Sequence, residues 1–361
     1  FGFSPNHIFE KFPTLQPALL IELGNKIQSI NPDLVLLNGS RTLKYGIGVK
    51  RLFSTKTKWV SRIIDNAEFW NSGKLTLYYY RRLIIPFLDA SVGVSQASLD
   101  SMIPHYNFSK PTRVIHRSFD SEKFKNSPDR EIARKALGIA KEAEVLLFLG
   151  NLTSQKRPDR FIEIVSHLIK SRPNLKALIV GDGPMRKELE EKVLSIEYHP
   201  STSTSLSTEE TGAKNQEPRG KIREMEDDSE KSKVLNLKSC ISFTGYQQDV
   251  SPYLAAADLL ILTSDTEGLP GVVLEAAHFE VPTVATEVGG IRECLIDGET
   301  GYLVPDRSVS AFCEKINFLL DHPELRFPMG VKAKSFITQN FQMEKVANQY
   351  VDFFRSILSI L

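Results

Sequence analysis

The sequence predicts an α/β protein whose parallel sheets are flanked by helices, with the chain divided into two such units. Three observations carry this. Short apolar runs such as Leu34–Leu37, Glu144–Leu149 and Leu259–Leu262 lack the polar alternation of a one-sided strand, which is how strands buried on both faces read. Stretches with apolar residues at helical spacing separate these runs, as the crossovers of a parallel sheet require. The 361 residues, 41% apolar and 25% charged, have the composition of a soluble globular protein and suffice for two ordinary domains.

In chain order, Leu15–Ile30 carries Leu19, Leu20, Leu23, Ile27 and Ile30 at helical spacing, and Asn31-Pro32-Asp33 ends that helix. Leu34–Leu37 is a strand, and Lys58–Ile64 is a second that ends in Asp65-Asn66. A helix rich in aromatics and arginines is expected over Leu75–Leu88. Its Tyr78–Phe87 stretch has two readings, an interfacial helix on a membrane surface and a core helix with two solvated arginines, and the second is preferred. Asp89–Ser95 is a third strand with a helix from Gln96, and Thr112–His116 is a fourth. Residues 119–140 are a charged connector with a short helix, Arg130–Leu137, so a first domain spans 1–118 and a second 141–340. The second opens with strand Glu144–Gly150 and a helix from Pro158, then a strand and turn over Lys176–Pro184 and a helix to about Ile196. From about 198 to 234 the composition turns low-complexity and then charged, and this insertion is expected to be disordered. Cys240–Tyr246 resumes the sheet, and a helix over Val250–Ala257 leads into Leu259–Leu262. Pro282–Thr286 is another strand, Val288–Glu293 opens a helix, and Gly301–Pro305 closes the sheet. Helices near 308–320 and 322–339 follow. Residues 341–361 hold a last helix whose apolar face carries Val346, Tyr350, Phe353, Phe354 and Ile357.

The chemistry concentrates in Asp265–Ala277. A strand runs into Gly268, Pro270 and Gly271 and then into an apolar helix from Val272, at the end of a sheet where open α/β folds bind ligands. The N–H groups of Gly268, Leu269, Gly271 and Val272 are placed to face an anion, helped by the helix dipole. Glu267 and Glu275 flank that site. Carboxylates beside an anion site make sense as acceptors for sugar hydroxyls on either side of a phosphate, and a nucleotide sugar has that layout. For Glu267 the plain alternative is a helix cap. Glu275 is harder to explain that way, because a carboxylate on so apolar a helix needs partners if buried.

The run from Glu267 to Glu275 resembles the Glu-x7-Glu motif of the retaining glycosyltransferases of family 4, which have the two-Rossmann GT-B fold. The likeness extends from about Glu144 to the C-terminus across one insertion and is weaker before it. The resemblance implies that the last helix crosses back onto the first domain. It implies that Glu275 holds the ribose hydroxyls, that Glu267 holds the hexose, and that Lys156 with the amides of Leu269 to Val272, around Pro270, stabilises the departing diphosphate. It sets Gly245 and Tyr246 in a base-recognition loop, Gly181 and Gly183 in a turn beside the nucleotide, and Gly289 and Gly290 near the donor. The chain departs from the family pattern at several points. Asn151 stands where the family's Gly-Arg-Leu-x-x-x-Lys turn has arginine, so a cationic contact is lost unless Arg157 compensates. Asp65-Asn66 stands where the family has histidine. That leaves Asp65 as the nearest polar candidate on the acceptor side, a turn aspartate being its plainer reading. His116-Arg117-Ser118 replaces Pro-Asn-Gly, and His116 reads as a packed loop residue. Only 31 residues precede Pro32, so the first domain is expected to be shortened.

The activity implied is a cytoplasmic, metal-independent transferase, possessing no cofactor. It moves a hexose with retention from a UDP-, GDP- or ADP-sugar to a glycan, lipid-linked or small-molecule acceptor, with peripheral membrane contact through the first domain. No Asp-x-Asp lies at a strand end to hold a metal. A nucleotide-sugar 2-epimerase is disfavoured by the Glu-x7-Glu stretch. A non-catalytic donor-binding or partner subunit is favoured by the short N-terminus, the missing histidine and Asn151. A net charge of +1 gives no reason to expect nucleic acid. Cys240, Cys294 and Cys313 are odd in number and lack metal spacing, as buried thiols in a reducing compartment would. No run of 18 apolar residues is present, so no spanning helix is expected, and no stretch resembles a basic-then-apolar leader.

Overall fold

The computed structural model describes residues 16–53, 56–70, 73–195, 197–198 and 235–359. Of the insertion expected to be disordered, 198–234, Tyr198 lies in a short antiparallel pair, Glu197–Tyr198 with Leu235–Asn236, and 199–234 fall outside the described residues. The first sheet holds β1 (Leu34–Asn38), β2 (Lys58–Ile63), β3 (Ala90–Gly93) and β4 (Thr112–Val114), all parallel and in sequence order. Around it lie α1 (Pro17–Ile30), α2 (Ser40–Leu52), α3 (Lys74–Tyr79) and α4 (Gln96–Tyr106). The connector contributes α5 (Arg130–Ala136).

The second sheet holds β5 (Glu144–Leu149), β6 (Leu175–Val180), β7 (Ile241–Gly245), β8 (Leu259–Leu262), β9 (Thr283–Thr286) and β10 (Gly301–Val304). Its order is β10-β9-β8-β5-β6-β7, again all parallel. The helices are α6 (Pro158–Leu168), α7 (Arg186–Ser195), α8 (Ser251–Ala256), α9 (Gly271–His278), α10 (Val309–Asp321), α11 (Pro323–Asn340) and α12 (Met343–Leu358). Both faces are covered, which is why the strands read as continuous apolar runs: Val145, Leu147 and Leu260 pack into one cluster, and Leu146, Phe148 and Ile261 into another.

The chain returns at its end to the first sheet. The Phe119 N–H donates to the Phe341 carbonyl at 2.8 Å, so the outgoing connector and the returning segment run side by side. On α12, Val346, Phe353 and Ile357 are buried against Val60, Ala90, Val92 and Ile115. Each such side chain contributes about 1.5–3 kcal/mol by burial, enough to anchor the helix there. Trp59, one residue from Val60 and so on the opposite face, joins Leu37, Leu43 and Ile47 in the other cluster.

Beyond short helices at Ala67–Trp70 and Leu237–Cys240, three longer stretches differ from the sequence-based expectation. α2 has no counterpart in that expectation, and Gly46 and Gly48 interrupt its apolar pattern. The structure gives Gly46 a packing reason: a Cβ there would lie 2.3 Å from Leu37 Cδ2. The Leu75–Leu88 helix is broken, α3 passing into a π turn over Tyr80–Ile84 and a 3-10 turn over Ile85–Phe87 that holds Pro86. Its inward face buries Tyr80, Ile84, Ile85 and Leu88, while Arg81 and Arg82 are exposed. The helix expected from Val288 is a short 3-10 segment, Gly289–Glu293, kinked at Gly290 and with Gly289 at φ 53°.

β8 opens from a buried ionic hub. The Asp258 carboxylate accepts from Arg130 at 2.6 Å, Arg134 at 2.8 Å and the Val145 N–H at 2.8 Å, and pairs with Arg326 at 3.0 Å. It ties α5, β5 and α11 to the start of β8. The cysteines form no disulfide: Cys240 and Cys294 are buried and Cys313 is half-buried. Burial pushes the Cys240 thiol up to about 12 and that of Cys313 to about 11, which leaves both unreactive at neutral pH.

Candidate active site

In the second sheet the chain steps from β5 to β6 and β7 on one side, then to β8, β9 and β10 on the other. β5 and β8 are neighbours at that reversal, and the crevice beyond their carboxyl ends is where an open sheet has room for a ligand. The loops after β5 and β8 meet there, facing the carboxyl ends of β2, β3 and β4 across a cleft of about 690 Å³.

The floor of the cleft is suited to an anion. α9 begins with Pro270 as N-cap, no side-chain cap and no acidic residue in its first turn, so the first amides are left for whatever enters. Leu269, Gly271 and Val272 line the cleft. Gly268 is required by close approach, since a Cβ there would fall 1.9 Å from the Ile64 carbonyl oxygen of the first sheet.

Glu267 is only 6% exposed, and its Oε1 accepts from Lys156 Nζ at 2.6 Å and Ser264 Oγ at 2.6 Å. The backbone around this pair is laced together. Thr263 Oγ1 donates to the carbonyl of Lys156 or Arg157, 3.0 and 2.8 Å away, and the Asp265 N–H donates to the Gln155 carbonyl at 2.8 Å. Arg160, buried, donates to the Thr263 carbonyl at 2.6 Å and to Asp265 at 3.0 Å. The lysine and the glutamate are therefore held on two interlocked loops. Glu275 lies one turn further along α9, half-buried on the cleft wall. Burial pushes its carboxyl above the usual carboxylate range, against the pull of Lys123, whose Nζ is 3.7 Å from Oε1, and of Arg117.

The remaining sequence candidates divide. Asn151 and Asp65 line the cleft. Asp65 accepts from the Asn66 N–H at 2.8 Å, the turn contact expected of it, and also from Gln155 Nε2 at 3.1 Å across the cleft. Gly181, Gly183 and Gly245 pack at the flank: the Gly181 N–H donates to the Gly245 carbonyl at 2.9 Å, and a Cβ on Gly183 would meet the Leu152 carbonyl at 2.5 Å. Tyr246 is 76% exposed and is not among the cleft residues. Gly290 packs beneath the cleft loop, where a Cβ would lie 2.0 Å from the Gly268 carbonyl oxygen. Arg157 does not take the place left by Asn151. It caps α6 with φ 52°, its guanidinium is bound to Asp159 at 2.8 Å and Asp265 at 3.3 Å, and it lies outside the cleft.

Sequence reasoning did not single out Arg117, Arg62 or Gln155, which all line the cleft. Arg62 stands near the carboxyl end of β2, and Gln155 and Arg117 in the loops after β5 and β4; that placement was the available signal. His116 is packed in a loop, bonded to Glu293 at 2.9 Å with its ring 5.5 Å from that of Phe341. Glu293 also accepts from the N–H groups of Gln96 at 2.8 Å and Ala97 at 3.3 Å, capping α4 from the other unit. Burial pushes its carboxyl up, but the bonds from His116 and these amides outweigh that and hold it below the usual range. Among the described residues there is no group of three His, Cys, Asp or Glu side chains placed to hold a metal, and no helix long and apolar enough to cross a membrane.

Comparison with known proteins agrees with this architecture. Anabaena HepE in complex with UDP-glucose matches 94% of this chain and 84% of its own at a TM-score of 0.75 and 21% identity, a likeness of GT-B fold. N-acetyl-α-D-glucosaminyl L-malate synthase of Bacillus anthracis is 24% identical over 74% of this chain and 61% of its own length. D-inositol 3-phosphate glycosyltransferase of Kineococcus radiotolerans is 28% identical over 61% of this chain and 46% of its own. The chain thus spans about half to three-fifths of the length of these curated relatives. Two family models, each described as glycosyl transferases group 1, match residues 129–208 and 215–322, together more than half of the sequence. The chain belongs to the group 1 glycosyl transferases.

Proposed function

We propose that the chain transfers a hexose, with retention of anomeric configuration, from a nucleoside diphosphate sugar to an acceptor hydroxyl. One observation carries the reading. An uncapped helix N-terminus, a lysine and two carboxylates converge at the switch point of a parallel sheet, which fits the charge pattern of a diphosphate set between two sugars. In this reading the α9 amides and Lys156 bind the diphosphate, Glu275 accepts from the ribose hydroxyls and Glu267 from the hexose. Lys156 is neutralised by Glu267 before the donor arrives, and the diphosphate then competes for it. As the bond from the anomeric carbon to the diphosphate breaks, these donors stabilise the charge gained by the leaving oxygen. The acceptor oxygen bonds to the anomeric carbon on the same face, and its proton passes to the leaving phosphate, so no protein nucleophile is needed. Amides and cationic side chains supply the positive charge, and metal independence belongs to the same reading.

The UDP compounds held by the solved neighbours make UDP-sugars the first donors to try, ahead of GDP- and ADP-sugars. The acceptor enters from the first sheet, past Asp65, Arg62 and Asn38. It is a glycan, a lipid-linked glycan or a small molecule. The outward face of residues 74–87 sets exposed Leu75, Tyr78 and Leu83 beside Arg81 and Arg82, a surface suited to the cytoplasmic face of a membrane bearing such an acceptor. The test is release of nucleoside diphosphate from a panel of these donors with and without acceptors. Acceptor-dependent release supports the reading. A folded chain that turns over no donor with any acceptor overturns it in favour of a donor-binding partner role.

A further inference from the structure

The cations in and around the cleft are engaged, with one exception. Lys156 holds Glu267 at 2.6 Å, Arg62 donates to Asn38 Oδ1 at 3.1 Å, and Arg157 is bound to Asp159 and Asp265. Arg117 lines the cleft, is exposed, and among the described residues forms no hydrogen bond or ion pair. Its guanidinium lies against the start of α9, since a Cβ on Gly271 would fall 2.4 Å from Nη1 and 2.5 Å from Cζ. That sets a positive charge on the positive end of a helix with no cap and no acidic residue in its first turn. The attraction of Glu275, further along α9, offsets part of this, and an anion that bonds to both the guanidinium and the amides completes the compensation. Across the cleft, the turn after β5 offers the neutral Asn151.

We propose that Arg117 is the second cation of the diphosphate site. It clamps the donor's phosphates against the α9 amides, with Lys156 as the other cation, and its planar fork suits two phosphate oxygens at once. Arg117 follows β4, so the clamp comes from the first sheet while the amides and Lys156 come from the second, and the bound diphosphate joins the two halves. The inference rests on the nucleotide-sugar reading of the cleft.

The test titrates UDP and uridine into the wild-type chain, Arg117→Ala and Arg117→Lys. Arg117 is exposed, and circular dichroism verifies that the variants fold. The expected result is UDP binding roughly 10- to 100-fold weaker in Arg117→Ala, with uridine binding within about twofold of wild type. Arg117→Lys, which keeps the charge and loses the fork, is expected to fall between the two. Wild-type UDP affinity in Arg117→Ala overturns the inference. So does an equal loss for UDP and uridine, which would mean that Arg117 acts through Glu275 on the nucleoside. A wild-type chain that binds none of UDP, GDP and ADP overturns the nucleotide reading itself.

Discussion

Glu267→Ala is expected to slow sugar transfer by roughly 10²–10³ while leaving UDP affinity unchanged or slightly improved. The split follows from the geometry. The Glu267 carboxylate is buried in the cleft wall and pairs with Lys156 at 2.6 Å. Removing it takes away the acceptor proposed for the hexose hydroxyls, an interaction that matters as the sugar departs. It also releases Lys156 for the diphosphate, so nucleotide binding gains a cation and loses nothing. A purely structural ion pair would behave differently, with a lowered melting temperature and a rate that falls only with the folded fraction. Single-turnover rates, UDP titrations and melting curves on the same variant separate the two. Transfer at the wild-type rate by a folded Glu267→Ala chain would remove Glu267 from the mechanism.

Asp258→Ala is expected to destabilise the fold by about 3–5 kcal/mol. Its carboxylate is buried and paired with Arg130, Arg134 and Arg326. Arg134 is itself buried, and burial lowers its pKa against the attraction of Asp258. Deleting Asp258 strands that guanidinium inside the protein and leaves the Val145 N–H at the start of β5 without its acceptor. For a unit of this size the loss corresponds to a melting temperature lower by on the order of 10 °C, readable by calorimetry. Asp258→Asn keeps the shape without the charge and is expected to recover only part of the loss. A loss under about 1 kcal/mol for the alanine variant would mean that the hub is no stronger than a surface pair.

The fold and the centre of the site were legible for the same reason, that both depend on local sequence. A strand buried on both faces leaves an uninterrupted apolar run, as at Leu259–Leu262, and a loop that opens onto a helix leaves glycine and proline at fixed offsets, as at Gly268–Gly271. What was missed depends on contacts distant in sequence. Gly46 reads as a helix breaker until Leu37 is seen packed against it. Arg157 reads as a candidate for the diphosphate until Asp265, 108 residues away, is seen holding it. Asp258 reads as a strand-edge aspartate, with nothing to mark the arginines at 130, 134 and 326 as its partners. Arg117 appeared only as a departure from a family pattern, and its place over α9 follows from how the two sheets face each other. Tyr246 matched a motif position, yet the structure leaves its side chain in solvent.

Calorimetric titration of UDP into the wild-type chain and into Glu275→Ala tests the central claim, that the cleft between the sheets holds a nucleoside diphosphate, most directly. The wild-type chain is predicted to bind UDP at one site, and Glu275→Ala at least about tenfold more weakly, the loss of a charged acceptor for hydroxyls. Because the raised pKa of Glu275 reflects a charge that the folded chain disfavours, its removal is not expected to weaken the fold. Wild-type binding is predicted to weaken as pH falls and Glu275 gains its proton, starting at a higher pH than a glutamate of ordinary pKa, about 4.3, would allow. Equal UDP affinity in the two proteins, with no difference in pH dependence, would contradict the account.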